Sequence, residues 1–299
     1  MRLILACLLA LTFAPTARAE MTRHRIEVGG LTRHFLLYVP ASLPEHPGPR
    51  PLVVVLHGGG GTDAEVARAT RHRFEALAEQ AGFLVLYPDA IGRMWDTGEG
   101  EVSAGLSPRR DDLSFLKAAV TAVEARYPVD RSRLFATGIS RGGHMSYLLA
   151  CRAPGMFRAI APVAMTLPAG LAADCAKAPP TGFLLIEGTA DPLVPYKGGR
   201  VTVLGRQRDT VLSADATMAA FARINRCAGA RTDAPMGAVD RIRYSSCAVP
   251  TGFDRVKGGG HTWPSGRVEL PRFLVGRTNE DISGADEIWA FFARFPARG

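Results

Sequence analysis

The sequence lacks the patterns that mark several large classes of protein. No apolar run reaches the roughly 18–20 residues that a transmembrane helix needs, which excludes an integral membrane protein. No glycine-rich segment leads into Gly-Lys-Ser/Thr, and no dinucleotide-binding Gly-x-Gly-x-x-Gly context is present. The metal-binding patterns His-Glu-x-x-His and paired Cys-x-x-Cys are also missing. We therefore expect a protein that works without a metal or cofactor.

Composition argues against disorder and against nucleic-acid binding. The 299 residues are 47% hydrophobic and 21% charged, which is average for a globular protein and suits a single α/β domain. The excess of 36 Lys and Arg over 28 Asp and Glu is mild and scattered. Its densest clusters, at Arg68–Arg73 and Arg109-Arg110, are not interleaved with aromatic residues as a nucleic-acid groove would be. We interpret them as solvated surface.

The N-terminus has the three parts of an export signal in order. Met1-Arg2 gives a positive start, Leu3–Phe13 is an apolar run too short to span a bilayer, and Ala17-Arg18-Ala19 is a small-x-small cleavage pattern. The alternative is a buried N-terminal helix. We expect a signal peptide at residues 1–19, a mature catalytic domain at 20–299, and a secreted or periplasmic location.

The cysteines fit an exported protein. Removal of residues 1–19 leaves four of them, and an even number in an oxidising compartment predicts two disulfides. Three connectivities are possible, and the simplest pairs the sequence neighbours, Cys151 with Cys175 and Cys227 with Cys247. The alternative is four free buried thiols.

Strand-like and helix-like segments alternate along the rest of the chain. Leu52–His57 is a continuous apolar run typical of a strand buried on both faces, and Glu65–Ala81 has helical periodicity. The irregular stretch Gly92–Arg110 is expected to border a site. The other predicted strands are Arg33–Pro40, Phe83–Tyr87, Leu134–Gly138, Phe183–Gly188, Ile242–Tyr244 and Phe253–Val256, and the other predicted helices are Asp111 or Asp112 to Tyr127, Ser140–Ala150, Ala214–Asn225 and Asp286–Phe295. This alternation predicts an α/β fold, with a mainly parallel sheet flanked by helices on both faces.

The strongest chemical signal is the Gly-x-Ser-x-Gly segment around Ser140, which follows a predicted strand and precedes a predicted helix. That context indicates a nucleophile elbow, in which a tight turn exposes the serine and leaves no room for side chains at Gly138 and Gly142. The alternative is a serine that only caps a helix.

A nucleophilic serine in this kind of fold is followed along the chain by an acid and then a histidine. Only two histidines follow Ser140, and His144 is in the same helix, where packing is the better interpretation. His261, in the glycine-rich loop at residues 258–264, is therefore the predicted general base. Asp191 comes directly after a strongly apolar strand and is the predicted third member, whereas Glu187 lies inside that strand and is a less natural choice.

An oxyanion hole is predicted from the glycine turn that follows the first apolar strand. In this segment, His57 is followed by four glycines, which let backbone N–H groups approach a substrate oxygen closely. We expect one donor to be the N–H of Arg141 and the other that of Gly59 or a neighbouring glycine.

These motifs resemble those of exported α/β-hydrolase esterases of the poly(3-hydroxybutyrate) depolymerase-like type, which are related to the feruloyl and acetylxylan esterases of carbohydrate esterase family 1. The matching segments are LHGGGGT (56–62), YPDAIGRMW (87–95), VDRSRLFATGISRGGHMSY (129–147), APVAM (161–165), GTADPLVPYKGG (188–199) and GGGHTWP (258–264). The resemblance implies a single-domain α/β-hydrolase fold and a triad of Ser140, Asp191 and His261. The chain ends soon after its final helix, so we expect no appended polymer-binding domain, and soluble oligomers or small esters as substrates.

The predicted function is an exported serine esterase that hydrolyses polyhydroxybutyrate oligomers or feruloyl or acetyl esters through an acyl-enzyme. Trp95 and Trp263 are candidate substrate contacts by aromatic stacking, the alternative being packing in the cleft wall. Two other functions remain open. One is a serine peptidase of the prolyl-oligopeptidase type, and the other is a non-catalytic binding protein on a hydrolase scaffold.

Overall fold

The computed structural model describes residues 19–98, 110–203, 205–232, 235–268 and 270–297. Apart from Ala19, the predicted signal peptide lies outside these ranges, as does most of the irregular stretch predicted to border a site. The strands in the described ranges are β1 Glu20–Val28, β2 Leu31–Val39, β3 Arg50–Leu56, β4 Leu84–Asp89, β5 Val129–Ile139, β6 Ala159–Val163, β7 Gly182–Gly188, β8 Gly199–Val203, β9 Arg206–Val211, β10 Gly229–Thr232, β11 Val239–Ser245 and β12 Thr251–Val256.

The α-helices in the same ranges pack on the sheet or connect its strands. They are α1 Asp63–Ala69, α2 Arg73–Ala81, α3 Asp112–Glu124, α4 Arg141–Arg152, α5 Ala172–Cys175, α6 Ala214–Ile224, α7 Arg272–Val275 and α8 Gly284–Phe292. None of the helices in the described ranges has the length and apolar character that a bilayer crossing requires.

Ten strands form one sheet in the order β1-β2-β4-β3-β5-β6-β7-β12-β11-β10. The six central strands, from β4 to β12, are parallel, and antiparallel strands extend the sheet at both edges. The predicted α/β class with a mainly parallel sheet is confirmed. Strands β8 and β9 form a separate two-stranded hairpin.

The side chains of β3 show why its sequence is continuously apolar. Leu52, Val54 and Leu56 enter the core on one face of the sheet, together with residues of α3, α4 and α6. Val53 and Val55 enter the core on the other face, with residues of α1, α2 and α8. A strand covered by helices on both faces has no polar side, so the alternation of a half-exposed strand is absent.

The segment predicted as one helix, Glu65–Ala81, is two helices. Thr62 caps α1 by accepting the N–H of Glu65, and α1 ends at Ala69. Arg71 and His72 then take a left-handed backbone with φ 54°, which stops one helix and begins the next. The apolar periodicity continues across this break because both helices pack on the same core, so periodicity alone does not reveal it.

Strands β1, β6, β8, β9 and β10 have no clear signal in the sequence and are not among the predicted strands. β1 is an edge strand with the polar sequence EMTRHRIEV and has no fully buried side chain. β6 is fully buried but short, and Pro162 within it weakens a strand signal.

Two disulfides connect elements in the described structure. Cys151 pairs with Cys175 and ties α4 to α5, and Cys227 pairs with Cys247 and ties the end of α6 to the end of β11. The bridges close loops with sequence separations of 24 and 20 residues, each worth about 3 kcal/mol in the chain-entropy description. This is the simplest of the three connectivities that the sequence leaves open.

Candidate active site

Ser140 occupies a strained turn between β5 and α4. Its backbone has φ 56° and ψ −121°, a conformation that a non-glycine residue rarely adopts. The N–H of Ser140 donates to Val163 O at 2.9 Å, and the carbonyl of Ser140 accepts the N–H of His144 at 2.9 Å. The turn is thus fixed on one side by β6 and on the other by the first turn of α4, as the nucleophile-elbow geometry requires.

The two glycines of the motif are needed because the neighbouring backbones are very close. A Cβ atom at Gly138 would lie 2.6 Å from the carbonyl carbon of Gly142, and one at Gly142 would lie 2.4 Å from Leu56 O. The predicted steric reason for small residues on both sides of Ser140 is confirmed. This close packing also brings the elbow against the end of β3, where the glycine turn begins.

His261 and Asp191 are in contact, although 70 residues separate them. Nδ1 of His261 lies 2.7 Å from Oδ2 of Asp191, and the Asp191 side chain is completely buried. The other carboxylate oxygen of Asp191 accepts the N–H groups of Leu193 and Val194 at 2.8 and 2.9 Å. The carboxylate therefore has its direction fixed by two backbone donors and presents its remaining oxygen to the imidazole.

The loops that carry Asp191 and His261 are held together by their backbones. The N–H of Ala190 donates to Gly259 O at 2.9 Å, and the N–H of His261 donates to Val275 O at 2.6 Å. A Cβ at Gly260 would lie 2.2 Å from Val275 O, so only glycine fits beside this loop. The glycine-rich sequence before His261 reflects this close approach.

Ser140 and His261 line the same cleft, which has a volume of about 310 Å³. Its wall is largely apolar and comes from several parts of the chain, among them Met94, Met165, Leu193, Val201, Val211 and Trp263. The carboxyl ends of parallel strands lie at one edge of a sheet, and the residues after β3, β5 and β7 meet there as expected for an open α/β sheet. The structure thus brings the predicted serine and histidine to one cavity, with the predicted aspartate behind the histidine.

The glycine turn after β3 has two N–H groups that are already used inside the protein. The N–H of Gly60 donates to Arg93 O at 2.7 Å, and that of Gly61 donates to Gly58 O at 3.0 Å. Gly58 and Gly59 line the cleft. The sequence leaves four glycines as candidates for the second oxyanion donor. Because the N–H groups of Gly60 and Gly61 are already bonded, Gly58 and Gly59 remain as candidates.

The buried ring of His57 fixes this glycine turn through two hydrogen bonds to the backbone. Its Nδ1 donates to Gly58 O at 2.7 Å, and its Nε2 accepts the N–H of Ala90 at 3.1 Å. This arrangement needs the neutral ring, and burial lowers the pKa of His57 to about 4. The histidine therefore remains uncharged at neutral pH and fixes the carbonyl of Gly58.

The two candidate tryptophans have different positions. Trp95 is fully buried, its Nε1–H donates to His57 O at 2.8 Å, and its ring lies 4.7 Å from that of His57. Trp95 is therefore a packing residue, as the alternative interpretation of the sequence has it. It supports the glycine turn through its hydrogen bond to the carbonyl of His57. Trp263 lines the cleft and packs edge-on against Phe74, with the ring centroids 6.2 Å apart.

Arg141 belongs to a buried polar cluster that the sequence does not indicate. Its guanidinium forms an ion pair with Asp209 of β9 and donates to Thr97 Oγ1 at 3.0 Å and to Trp95 O at 3.1 Å. Burial, and secondarily the charge of Arg141, lower the pKa of His144 well below its usual value, so this ring is neutral. Asp209 reaches the cluster from the β8–β9 hairpin, a long-range contact for which a single sequence gives no local signal.

Comparison with known proteins places this chain in a family. The family model described as "Esterase PHB depolymerase" matches residues 34–177. A protein of Nocardia uniformis subsp. tsuyamanensis that is named as an esterase, NocK, is 33% identical over 293 residues, covering 91% of this chain and 82% of its own. The chain belongs to this esterase family. It is a carboxylic ester hydrolase.

Two other proteins support the assignment at different levels. Feruloyl esterase C of Emericella nidulans is 29% identical to this esterase over 246 residues, which is 78% of each chain. The solved structure of an acetyl xylan esterase from Aspergillus awamori superposes with a TM-score of 0.60 over 91% of this chain and 99% of its own. At 18% sequence identity, that second likeness shows the fold.

Proposed function

We propose that this esterase is a serine hydrolase in which Ser140 attacks the ester carbonyl, His261 is the general base and Asp191 holds the imidazole. One observation carries the proposal: Nδ1 of His261 is bonded to a buried carboxylate at 2.7 Å, in the same cleft as a serine on a strained elbow. With Nδ1–H donating to Asp191, Nε2 of His261 is the nitrogen that takes the proton of Ser140. The same proton then passes to the leaving alcohol.

The tetrahedral oxyanion is stabilised by backbone donors at the start of α4 and in the glycine turn. Arg141 is the first residue of α4, where the N-terminal dipole favours negative charge. Gly59 contributes the second N–H and packs against Met94, whose Cε would lie 3.2 Å from a Cβ at this position. Water then hydrolyses the acyl-enzyme, and no cofactor takes part in these steps.

The substrates proposed are polyhydroxybutyrate oligomers or feruloyl or acetyl esters. Relatives with names such as feruloyl esterase C, and a fold shared with an acetyl xylan esterase, support ester chemistry of this kind. The largely apolar wall and Trp263 suit an acyl group that is itself apolar or aromatic. The ester bond would lie beside Ser140 and His261, which both line this cleft.

The proposal includes export. Residues 1–19 have the pattern of a signal peptide, and the two disulfides are of a kind that persists in oxidising compartments. Residues 20–299 are then the mature catalytic domain.

Labelling with a fluorophosphonate, read as intact mass, tests the nucleophile. We expect one adduct on the wild-type protein, none on Ser140→Ala, and a loss of kcat in this variant of at least about 10⁴-fold. Short p-nitrophenyl, feruloyl and hydroxybutyrate oligomer esters, assayed in parallel, choose between the substrate classes. Ester hydrolysis near the wild-type rate by folded Ser140→Ala would refute the triad, and a folded wild type without adduct would favour a non-catalytic binding protein.

A further inference from the structure

Glu187 is a buried carboxyl group beside the proposed triad that the mechanism above does not use. Glu187 lies in β7, which is buried along its whole length, and only 1% of the surface of Glu187 is exposed. Its Oε1 accepts the N–H of Gly188 at 3.2 Å, whereas its Oε2 is buried with no donor among the described residues. A carboxylate with an unpaired buried oxygen is costly, so this oxygen requires an explanation.

Among the described residues, no positive charge is paired with Glu187. Its side chain is within hydrogen-bonding reach of the Asp191 carboxyl, and its charge also acts on the more distant hydroxyls of Tyr147 and Tyr196. Arg255, its register partner on β12, is bonded instead to Asp240, with Nη2 and Oδ2 3.0 Å apart. Burial, reinforced by the charge of Asp191, raises the pKa of Glu187 well above its usual value.

The hydrogen bonds of Asp191 decide which of the two carboxyls holds a proton. Asp191 accepts from two backbone N–H groups and from Nδ1 of His261, and all three donors stabilise its charged form. Glu187 accepts only from Gly188 among the described residues. A neutral Glu187 has one O–H to donate, and the only described acceptor with which its side chain is paired is the Asp191 carboxylate.

We propose that Glu187 is a positioning residue of this site: its carboxyl group stays protonated and donates its O–H to Asp191, so that the two side chains share one negative charge. The inference rests on the proposed function, since the carboxylate it positions is the one proposed to orient His261. It adds a fourth donor to Asp191, from the strand side. Asp191 is then held from β7 by the side chain of Glu187 and from the following loop by the N–H groups of Leu193 and Val194.

Two uncharged substitutions, one that keeps a hydrogen-bond donor and one that removes it, test whether Glu187 donates to Asp191. In Glu187→Gln the amide oxygen replaces Oε1 and the amide nitrogen donates to Asp191, so we expect kcat within about threefold of wild type. In Glu187→Leu the donor is lost, and we expect kcat to fall on the order of 10- to 100-fold with little change in KM, the loss of one charge-assisted hydrogen bond. Glu124→Gln is the matched control, since Glu124 pairs with Arg131 at the surface of α3. It should keep wild-type kinetics.

The protonation state is tested by unfolding, without reference to activity. A neutral buried Glu187 binds a proton that the unfolded chain releases above a pH of about 4.3, so its contribution to stability falls as pH rises toward its folded pKa. Above the unfolded pKa of about 4.3, the unfolding constant of wild type divided by that of Glu187→Gln should rise with pH, with a limiting slope of about tenfold per pH unit for as long as the folded protein keeps the proton. This measurement also serves if Glu187→Leu does not fold.

The outcomes are distinguishable. A flat ratio would mean that Glu187 is ionised, and equal kcat for folded Glu187→Gln and Glu187→Leu would mean that its donor does not act on Asp191; either result overturns the inference. Ester hydrolysis by Ser140→Ala would instead refute the proposed function and leave the unfolding ratio unchanged. A rising ratio together with rescue by glutamine supports the proposal.

Discussion

At the scale of single residues, the site depends on buried groups kept neutral by their surroundings. His57 has one donor and one acceptor role, and both are satisfied by backbone groups, the carbonyl of Gly58 and the N–H of Ala90. His144 is also buried and neutral, beside the charged pair of Arg141 and Asp209. Protonation of either ring is unfavourable because burial removes the water that would solvate the charged imidazolium.

Acid should therefore act on the protein through His57. Its pKa is about 4 in the folded state against 6.5 for the free side chain, so the unfolded chain binds the additional proton between these values. The stability due to the neutral ring is complete above pH 6.5 and is lost as pH falls toward 4, by about 3 kcal/mol in all. We expect the unfolding free energy of wild type to fall more steeply than that of His57→Gln over this window. Parallel pH profiles in urea titrations would contradict the assignment.

At the scale of elements, the positions of the site residues follow from strand ends. Leu52–His57 and Phe183–Gly188 are recognisable as buried strands from their apolar sequences, which is enough to assign the polar residues after them to one edge of the sheet. The contact of His261 with Asp191 agrees with that reasoning, and the catalytic roles remain predictions. Trp95 cannot be assigned in the same way, because a large aromatic residue is equally suited to a cleft wall and to a core. The break at Arg71 and His72 is invisible in the sequence for a related reason, since both helices face one core.

The elbow glycines give a prediction about elements. Gly142→Ala would place a Cβ 2.4 Å from Leu56 O, forcing α4 away from β3. We expect a loss of unfolding free energy of about 1–3 kcal/mol or more, and a large loss of activity because Ser140 directly precedes the displaced helix.

The control for this substitution is Gly229→Ala in β10. A Cβ there would have Ser245 Oγ as its nearest neighbour at 3.5 Å, an ordinary contact. This variant should keep wild-type stability and activity in thermal unfolding and ester assays. Equal effects of the two substitutions would mean that the backbone contact at the elbow is not what limits residue 142.

At the scale of the whole molecule, the two disulfides brace different regions. Cys151–Cys175 anchors the last turn of α4, the helix that Ser140 precedes, whereas Cys227–Cys247 ties elements near the antiparallel edge of the sheet. Removing either bridge by a double Cys→Ser substitution should cost about 3 kcal/mol of unfolding free energy. We expect only the Cys151 and Cys175 pair to lower kcat at temperatures where both variants are folded, as measured on a p-nitrophenyl ester. A lower kcat in the folded variant without Cys227 and Cys247, or an unchanged kcat in the variant without Cys151 and Cys175, would contradict this division.

The β8–β9 hairpin has a consequence for how such a protein acquires new substrates. It supplies Val201, Val203 and Val211 to the cleft wall, yet it forms a sheet of its own beside the ten-stranded one. Part of the cleft wall is thus encoded in a short hairpin, separate from the strands that carry Ser140 and the core. Exchange of the valines of this hairpin, with Asp209 retained as the buried partner of Arg141, is therefore a route by which selection, or a designer, reshapes the cleft while the ten-stranded scaffold is left unchanged.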